Sequence, residues 1–334
     1  MKGMVFAGVV AAALVAQAAW PPFGPPPRPV GDRPAPRPRL PAPPPPAGLR
    51  PDRPDLAYGP DPQHRLDLWQ AKRGAPTPLV LFIGGYRFRE VEKRKVPRGF
   101  FQACLGAGMS VASIAYRLPA DAPLPAAMLD AARAVQFLRS EAAALGLDGR
   151  RIGLAGDAAG GSVALWVALH DDLADPKAAD AVARGSSRVA CCAVRNAQTT
   201  FDPRFYRDKN IYYPDGREAL LALHAVAPGA EDAPESLRRY EESAALALAS
   251  QDDPPVWLFY DKPQRYLTGE LGLYHPVFAE ALQARLAPLG VECTVRLGTD
   301  IPRSTPREQN PADREMLEFL RRHLGLEPPD PPPR

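Results

Sequence analysis

From Tyr58 onward, short apolar runs alternate with longer stretches of helical spacing, the pattern of a largely parallel sheet covered by helices. Arg65 to Gln70 reads as a half-buried strand, and Leu79 to Ile83 and Met109 to Ala115 read as fully buried ones. Residues 97–107 between them form a short helix. Over Ala126 to Leu145, Met128, Ala132, Val135, Leu138, Ala142 and Leu145 recur at spacings of three and four, which makes one helical face, and Gly146 closes it. Arg151 to Ala155 is a strand, Gly156 to Gly161 a glycine-rich turn, and Ser162 to about His170 an apolar helix. Strands follow at Val189 to Ala193, Val256 to Tyr260 and Cys293 to Leu297, with helices at Pro276 to Leu289 and Pro311 to Leu324. Residues 199–250 have no strand-like run and are broken by Pro203, Pro214, Pro228 and Pro234, so they read as a helical or irregular insertion placed as a cap. The fold class is α/β.

Composition adds a second region to that picture. The chain has 334 residues and 42 prolines, of which 16 fall in residues 21–56 and 5 in residues 327–334. A segment so poor in backbone donors and apolar periodicity is an extended tether, so residues 19–56 read as linker, 57–326 as one folded domain and 327–334 as a proline-rich tail. The tether's six arginines and three aspartates account for its charge of +3; with Lys2 and the tail included, residues 57–326 sum to zero within a chain of net +3. The folded region therefore carries no basic excess, and nucleic acid is not an expected partner. Met1-Lys2, the apolar run Met4 to Val15 and Ala16-Gln17-Ala18 have the form of a cleaved signal peptide over residues 1–18, with export to the periplasm or outside the cell expected. The run is shorter than the roughly 20 residues of a membrane span, so no stable span is expected after cleavage. Four cysteines, Cys104, Cys191, Cys192 and Cys293, admit three complete pairings in an exported protein, but buried free thiols are the simpler reading. Adjacent Cys191 and Cys192 point to opposite faces of their strand.

The chemistry centres on Gly156-Asp157-Ala158-Ala159-Gly160-Gly161, which joins a strand to a helix. Glycines around such a turn let the backbone reverse sharply, raise the middle residue above the sheet and aim helix N-terminal amides at it. That is the geometry of a nucleophile elbow, Gly-x-Ser-x-Gly, with Ala158 in the middle. Together with Tyr116-Arg117-Leu118-Pro119, Ala122 to Ala127, Asp130-Ala131 and Arg151 to Ala155, this stretch resembles the α/β-hydrolase fold, in particular the hormone-sensitive-lipase and feruloyl-esterase-like (BD-FAE-like) carboxylesterases, whose elbow reads Gly-Asp-Ser-Ala-Gly-Gly. The resemblance implies an α/β-hydrolase sheet and, in its active members, hydrolysis of carboxylic esters without a cofactor.

The parts of that machinery are altered together. Ala158 has no proton to lose and forms no acyl-enzyme. Ser162 lies a turn inside the helix, and Asp157, in the position before the nucleophile, points away from substrate. The family's His-Gly-Gly-Gly oxyanion loop corresponds to Ile83-Gly84-Gly85-Tyr86, in which two glycines keep backbone donors and bulky Tyr86 is expected to fill part of the hole. Asp261 is the nearest carboxylate for the family's acid but falls early in its loop. Gly298 to Gln309 holds no histidine, leaving His275 as a displaced candidate base. Removing the serine from a triad costs on the order of 10⁶ in turnover.

The reading is thus a non-catalytic, ligand-binding relative of the carboxylesterases. Its binding residues are Gly84, Gly85, Tyr86, Asp157, Ala158 and Ala159, and its ligand is a small ester, carboxylate or carbohydrate. An active carboxylic-ester hydrolase with a displaced triad and a structural or interaction module are the alternatives. The run His170-Asp171-Asp172-Leu173-Ala174-Asp175 matches no ligand frame and reads as a solvated helix end, so no metal is expected. Arg195 to Pro203 is equally readable as ligand contacts or as a strand cap that starts the insertion. Tyr206, Tyr212, Tyr213 and Tyr240 are read as cap packing before pocket lining.

Overall fold

The computed structural model describes residues 50–326 except 73, 75, 90, 92, 94–96, 212, 214–215, 262–268 and 301–310. The signal-like segment, nearly all of the proline-rich tether and the tail lie outside the described residues. Eight strands form one sheet: β1 Arg53–Ala57, β2 Arg65–Trp69, β3 Thr77–Ile83, β4 Ser110–Ile114, β5 Leu147–Asp157, β6 Cys191–Arg195, β7 Val256–Tyr260 and β8 Cys293–Leu297. Their order is β1-β2-β4-β3-β5-β6-β7-β8. β1 and β2, and β2 and β4, pair antiparallel, and the remaining neighbours are parallel. β1 begins inside the stretch assigned to the tether, because its backbone completes the sheet edge beside β2.

The helices are α1 Arg98–Gly106, α2 Ala126–Ser140, α3 Ala158–Leu169, α4 Pro203–Asp208, α5 Gly216–Ala222, α6 Pro234–Glu242, α7 Ala245–Leu248, α8 Val277–Leu286 and α9 Pro311–His323. Two cores lie on the two faces of the sheet. One holds Leu154, Cys192, Val194 and Leu258 with the buried residues of α2, α3 and α8. The other holds Ala155, Cys191, Ala193 and Phe259 with those of α1 and α9. Cys191 and Cys192 thus divide between the faces as alternation requires, and all four cysteines are free thiols. Strands apolar on both faces are what a sheet covered on both sides demands.

Several boundaries and one burial pattern differ from the sequence expectation; β5, for instance, runs from Leu147 to Asp157 rather than from Arg151 to Ala155. α3 starts at Ala158 rather than Ser162, because the elbow residues themselves form its first turn. α2 stops at Ser140, after which turns lead through Gly146, at φ +65°, into β5. β6 starts at Cys191, where register with Gly153 begins. β2 is buried on both faces rather than one, since the Lys93 ammonium covers the fully buried Asp67 carboxylate.

The insertion between β6 and β7 is helical as expected, built from α4 to α7, and Trp166 Nε1 donates to the Glu242 carbonyl at 2.8 Å, tying α3 to it. On the far side, buried Asp130 of α2 accepts from the Arg117 amide at 2.9 Å and Nη2 at 2.6 Å and lies 2.9 Å from His64 Nε2. Burial works against its charge, but the Arg117 bonds and His64 prevail and hold the carboxyl below its ordinary range. No helix among the described residues is long and apolar enough to cross a membrane.

Candidate functional site

The site forms where β5 turns into α3. Asp157 ends the strand in extended backbone, and Ala158 opens the helix at φ +51°, the left-handed region that a side-chain-bearing residue enters only when its surroundings compel it. The glycines around it are required by close packing. A Cβ on Gly160 would lie 2.2 Å from the Ile83 carbonyl oxygen, and one on Gly156 would lie 2.9 Å from the Gly160 carbonyl oxygen. A Cβ on Gly85 would fall 2.3 Å from Tyr116 Oη and 3.2 Å from the Gly160 nitrogen, so the loop after β3 runs directly against the first turn of α3. The buried Tyr116 fixes that loop by donating to the Gly84 carbonyl at 2.9 Å. The elbow, the oxyanion-type loop and their mutual contact are all present; the hydroxyl is not.

Above Ala158 lies a cavity walled by Arg87, Phe88, Ala158, Ala159, Gln198, Phe201, Tyr213, Leu273 and Tyr274. The space open to a water-sized group is about 10 Å³, room for roughly one water molecule. Tyr86, expected to fill part of the hole, instead has its side chain 51% exposed, and Phe88, at 5%, lines the cavity. Phe88 meets Phe201 edge-on, with centroids 5.2 Å apart. The opposite wall is held by Gln198, whose Nε2 donates to the Leu273 carbonyl at 2.6 Å and whose amide donates to Ser162 Oγ at 2.9 Å. Within Arg195 to Pro203, Gln198 and Phe201 line the cavity, while Thr199 Oγ1 donates to the Phe278 carbonyl at 3.0 Å. Of the insertion's tyrosines, Tyr213 lines the cavity and Tyr206 and Tyr240 are buried in packing; Tyr212 lies outside the described residues. Arg87, Phe88, Leu273 and Tyr274 line the cavity without a signal in the sequence, apart from the position of Arg87 and Phe88 just after the two glycines.

Asp157 faces away from the cavity, toward Arg195, its register partner on β6. Burial pushes its carboxyl up, with Arg195 opposing, and one of its oxygens is buried without a hydrogen-bond partner. Arg195 Nη1 in turn binds Asp313 of α9 at 2.6 Å, and its guanidinium sits 5.4 Å over the Phe259 ring. Asp261 is exposed, and its amide donates to Asn196 Oδ1 at 3.3 Å. His275 Nδ1 accepts from the Val277 amide at 3.0 Å at the start of α8, while Leu273 and Tyr274 just before it face the cavity. The structure thus gathers Gly84, Gly85, Asp157, Ala158 and Ala159 at one turn, and places Tyr86 outward and His275 in a capping role.

A serine and a histidine do meet elsewhere, in the insertion. Ser243 Oγ is 3.2 Å from His224 Nδ1, and His224 Nε2 is 3.3 Å from the Phe201 carbonyl oxygen. Both residues are buried, with His224 0% exposed, and the ring packs against Tyr240. Burial depresses the His224 pKa from 6.5 to about 4, against the pull of the Phe201 carbonyl and Asp202. This pair is a packing element of the cap, closed to substrate, and it makes a prediction. Between pH 6.5 and 4 the unfolded chain takes up a proton that the folded one refuses, so stability is full above the unfolded value and falls as the pH drops, by about 3 kcal/mol at most. Urea unfolding at pH 7 and pH 4.5 measures it, and His224→Gln flattens that limb. Asp130, held below the usual carboxylate range, gives up its share only at lower pH.

Among the described residues no group of three His, Cys, Asp or Glu side chains is placed to hold a metal ion. The His170 to Asp175 run ends α3 in a turn, where Asp172 Oδ1 accepts from the amides of Ala174 at 3.1 Å and Ser187 at 2.8 Å.

Residues 66–202 match the BD-FAE family model. The chain is 35% identical over 94 residues to the esterase LipI of Mycobacterium tuberculosis, and 34% identical over 113 residues to human hormone-sensitive lipase. These alignments take in 28% and 32% of this chain, but only 29% and 10% of those relatives. Among solved structures it is similar to a truncated carbohydrate esterase from gut microbiota, with TM-score 0.65 and 16% identity over 81% of this chain and 95% of that one. It is also similar to a thermophilic esterase of Thermogutta terrifontis with propionate bound, with TM-score 0.59 and 19% identity over 83% and 95%. The family match ends at residue 202, where the insertion begins, and the loops that would carry acid and histidine lie beyond it.

Proposed function

We propose that this chain, an α/β-hydrolase-fold protein of the hormone-sensitive-lipase and BD-FAE-like carboxylesterase group, binds at its elbow without cleaving. The observation that carries this reading is Ala158 at φ +51°: the strained backbone of a nucleophile elbow is kept while the residue on it has no nucleophilic atom. Helix N-terminal amides beside the Gly84-Gly85 loop are suited to the oxygen of a small carboxylate or ester. The Thermogutta esterase was solved with propionate, and acyl ligands of that size are the class we assign. Wild-type protein is expected to release nitrophenol from p-nitrophenyl acetate at the blank rate. It is expected to show propionate binding by ligand-observed NMR, lost in Ala159→Pro, which removes an elbow amide. Turnover above blank that disappears when the cavity is blocked would return the chain to the active esterases.

The nearly filled cavity favours a second reading, an interaction module that uses the fold as a scaffold. Absence of propionate binding together with absence of turnover selects it. Export on a proline-rich tether remains part of the proposal, supported by the Met4 to Val15 run and Ala16-Gln17-Ala18. N-terminal sequencing of the mature protein tests it; a chain still beginning at Met1 counts against it.

A further inference from the structure

The loop after β3 contains a turn built against its own residue preferences. The Arg89 amide donates to the Tyr86 carbonyl at 2.9 Å, closing a four-residue turn, and its two central residues, Arg87 and Phe88, lie at φ +52° and +53°. Two consecutive left-handed residues define a turn that favours Asn and Gly, and neither arginine nor phenylalanine is at ease there. Something must hold the turn in that shape. Tyr86 and Arg89 are exposed, whereas Phe88 between them is buried, its ring against Phe201 and in the wall of the cavity that Ala158 also lines. Further along, Lys93 pairs with Asp55 and Asp67 and anchors the loop to the sheet edge, leaving the turn between that anchor and the Tyr116-bound Gly84.

We propose that the Tyr86–Arg89 turn is a strained plug: Phe88 closes the cavity over Ala158, and the turn relaxes outward to give an open form. Burial of the ring favours the closed form, and the left-handed backbone at two residues opposes it. Opening lets Arg87 and Phe88 return to ordinary backbone angles and clears the space in front of the elbow, while the anchors at Gly84 and Lys93 stay in place. The opposite wall, tied by Gln198 to the Leu273 carbonyl, is the fixed side. The plug concerns the pocket of the proposed binding site, but it is read without a ligand, so a failure to bind propionate leaves it standing.

The test uses an introduced thiol as reporter. In the full chain carrying Ala158→Cys, modification by Ellman's reagent is followed at urea concentrations below the unfolding transition, with the wild type as control for its four native cysteines. The plug predicts a slow rate that urea does not change in this range, the mark of local opening. Adding Phe88→Ala speeds the reaction about tenfold or more, since the group that holds the turn closed is gone. Adding Arg87→Asn, a residue that tolerates the left-handed region, slows it about threefold or more by easing the strain of the closed form. Phe88→Leu, which keeps an apolar plug, stays close to the parent and shows that the loop tolerates substitution. A rate that tracks global unfolding in every variant, or Arg87→Asn that reacts as fast as the parent or faster, overturns the proposal.

Discussion

Ala158→Ser is expected to raise hydrolysis of p-nitrophenyl acetate by less than about tenfold over the blank, against the on the order of 10⁶ that a working triad supplies. The backbone is ready for the change. The elbow angle, the Gly160 contact and the Tyr116-held loop are those of a nucleophile turn, so a serine hydroxyl would stand above the sheet at the helix N-terminus. The limited rescue is expected on the proposal that no base serves the elbow. The sequence has five histidines, and none lines the cavity. His64 is engaged with Asp130, and His224 is sealed in the cap. His170 follows the far end of the 12-residue α3, roughly 18 Å from the elbow. His275 accepts from the Val277 amide, and His323 lies 3.5 Å from Glu292 on the rim of α9. Serine without imidazole is no better than the triad with any one of its essential members removed, because the members act as a unit. Initial rates of wild type and variant, measured together with phosphonylation by an organophosphate, decide the matter. Rescue of 10³-fold or more with stoichiometric labelling would mean that a base stands at the elbow after all.

Gly160→Ala is expected to cost about 3–5 kcal/mol of stability, a large effect for a single methyl group. Its Cβ would meet the Ile83 carbonyl oxygen at 2.2 Å and the Gly84 carbonyl carbon at 2.7 Å. Both neighbours are backbone, so no side chain can rotate aside, and either α3 must withdraw from the sheet or the Gly84-Gly85 loop must leave the elbow. Gly99 in α1 is the control. It has open space where a Cβ would go, and Gly99→Ala should stabilise by about 0.5–1 kcal/mol through helix propensity alone. Urea midpoints of the two variants measure the contrast. A Gly160→Ala protein within about 1 kcal/mol of wild type would mean that the elbow is looser than its packing indicates.

Much of the architecture was readable before any coordinates. The apolar runs at Leu79 to Ile83 and Val256 to Tyr260 became β3 and β7, because a strand covered on both faces needs an unbroken apolar run and little else. Boundaries were less legible where tertiary contact outranks local preference. Two adjacent glycines argue against a helix, yet α3 runs through Gly160 and Gly161, since close approach to Ile83 and Ala197 is worth more there than propensity. Arg65 to Gln70 reads as a half-buried strand, and only the arrival of Lys93 from a distant loop covers the buried Asp67 carboxylate of β2. Within the site, Tyr86 looked like the obstruction because it is bulky and adjacent to the glycines. The turn instead sends Tyr86 outward and Phe88 inward, and two residues of offset are invisible without the backbone angles.

The sequence by itself determined which atoms stand at the elbow. Alanine at the elbow and no histidine from Gly298 to Gln309 are statements about atoms, and no fold can supply a nucleophilic oxygen that the chain does not encode. The tertiary structure alone decided the state of the cavity in front of the elbow. The cavity is closed to about one water by residues drawn from four separate parts of the chain, Phe88, Phe201, Tyr213 and Leu273 with Tyr274. Its key turn has a conformation that its own residues disfavour. Local preferences cannot announce such a turn, because burial of the Phe88 ring among distant partners is what holds it there.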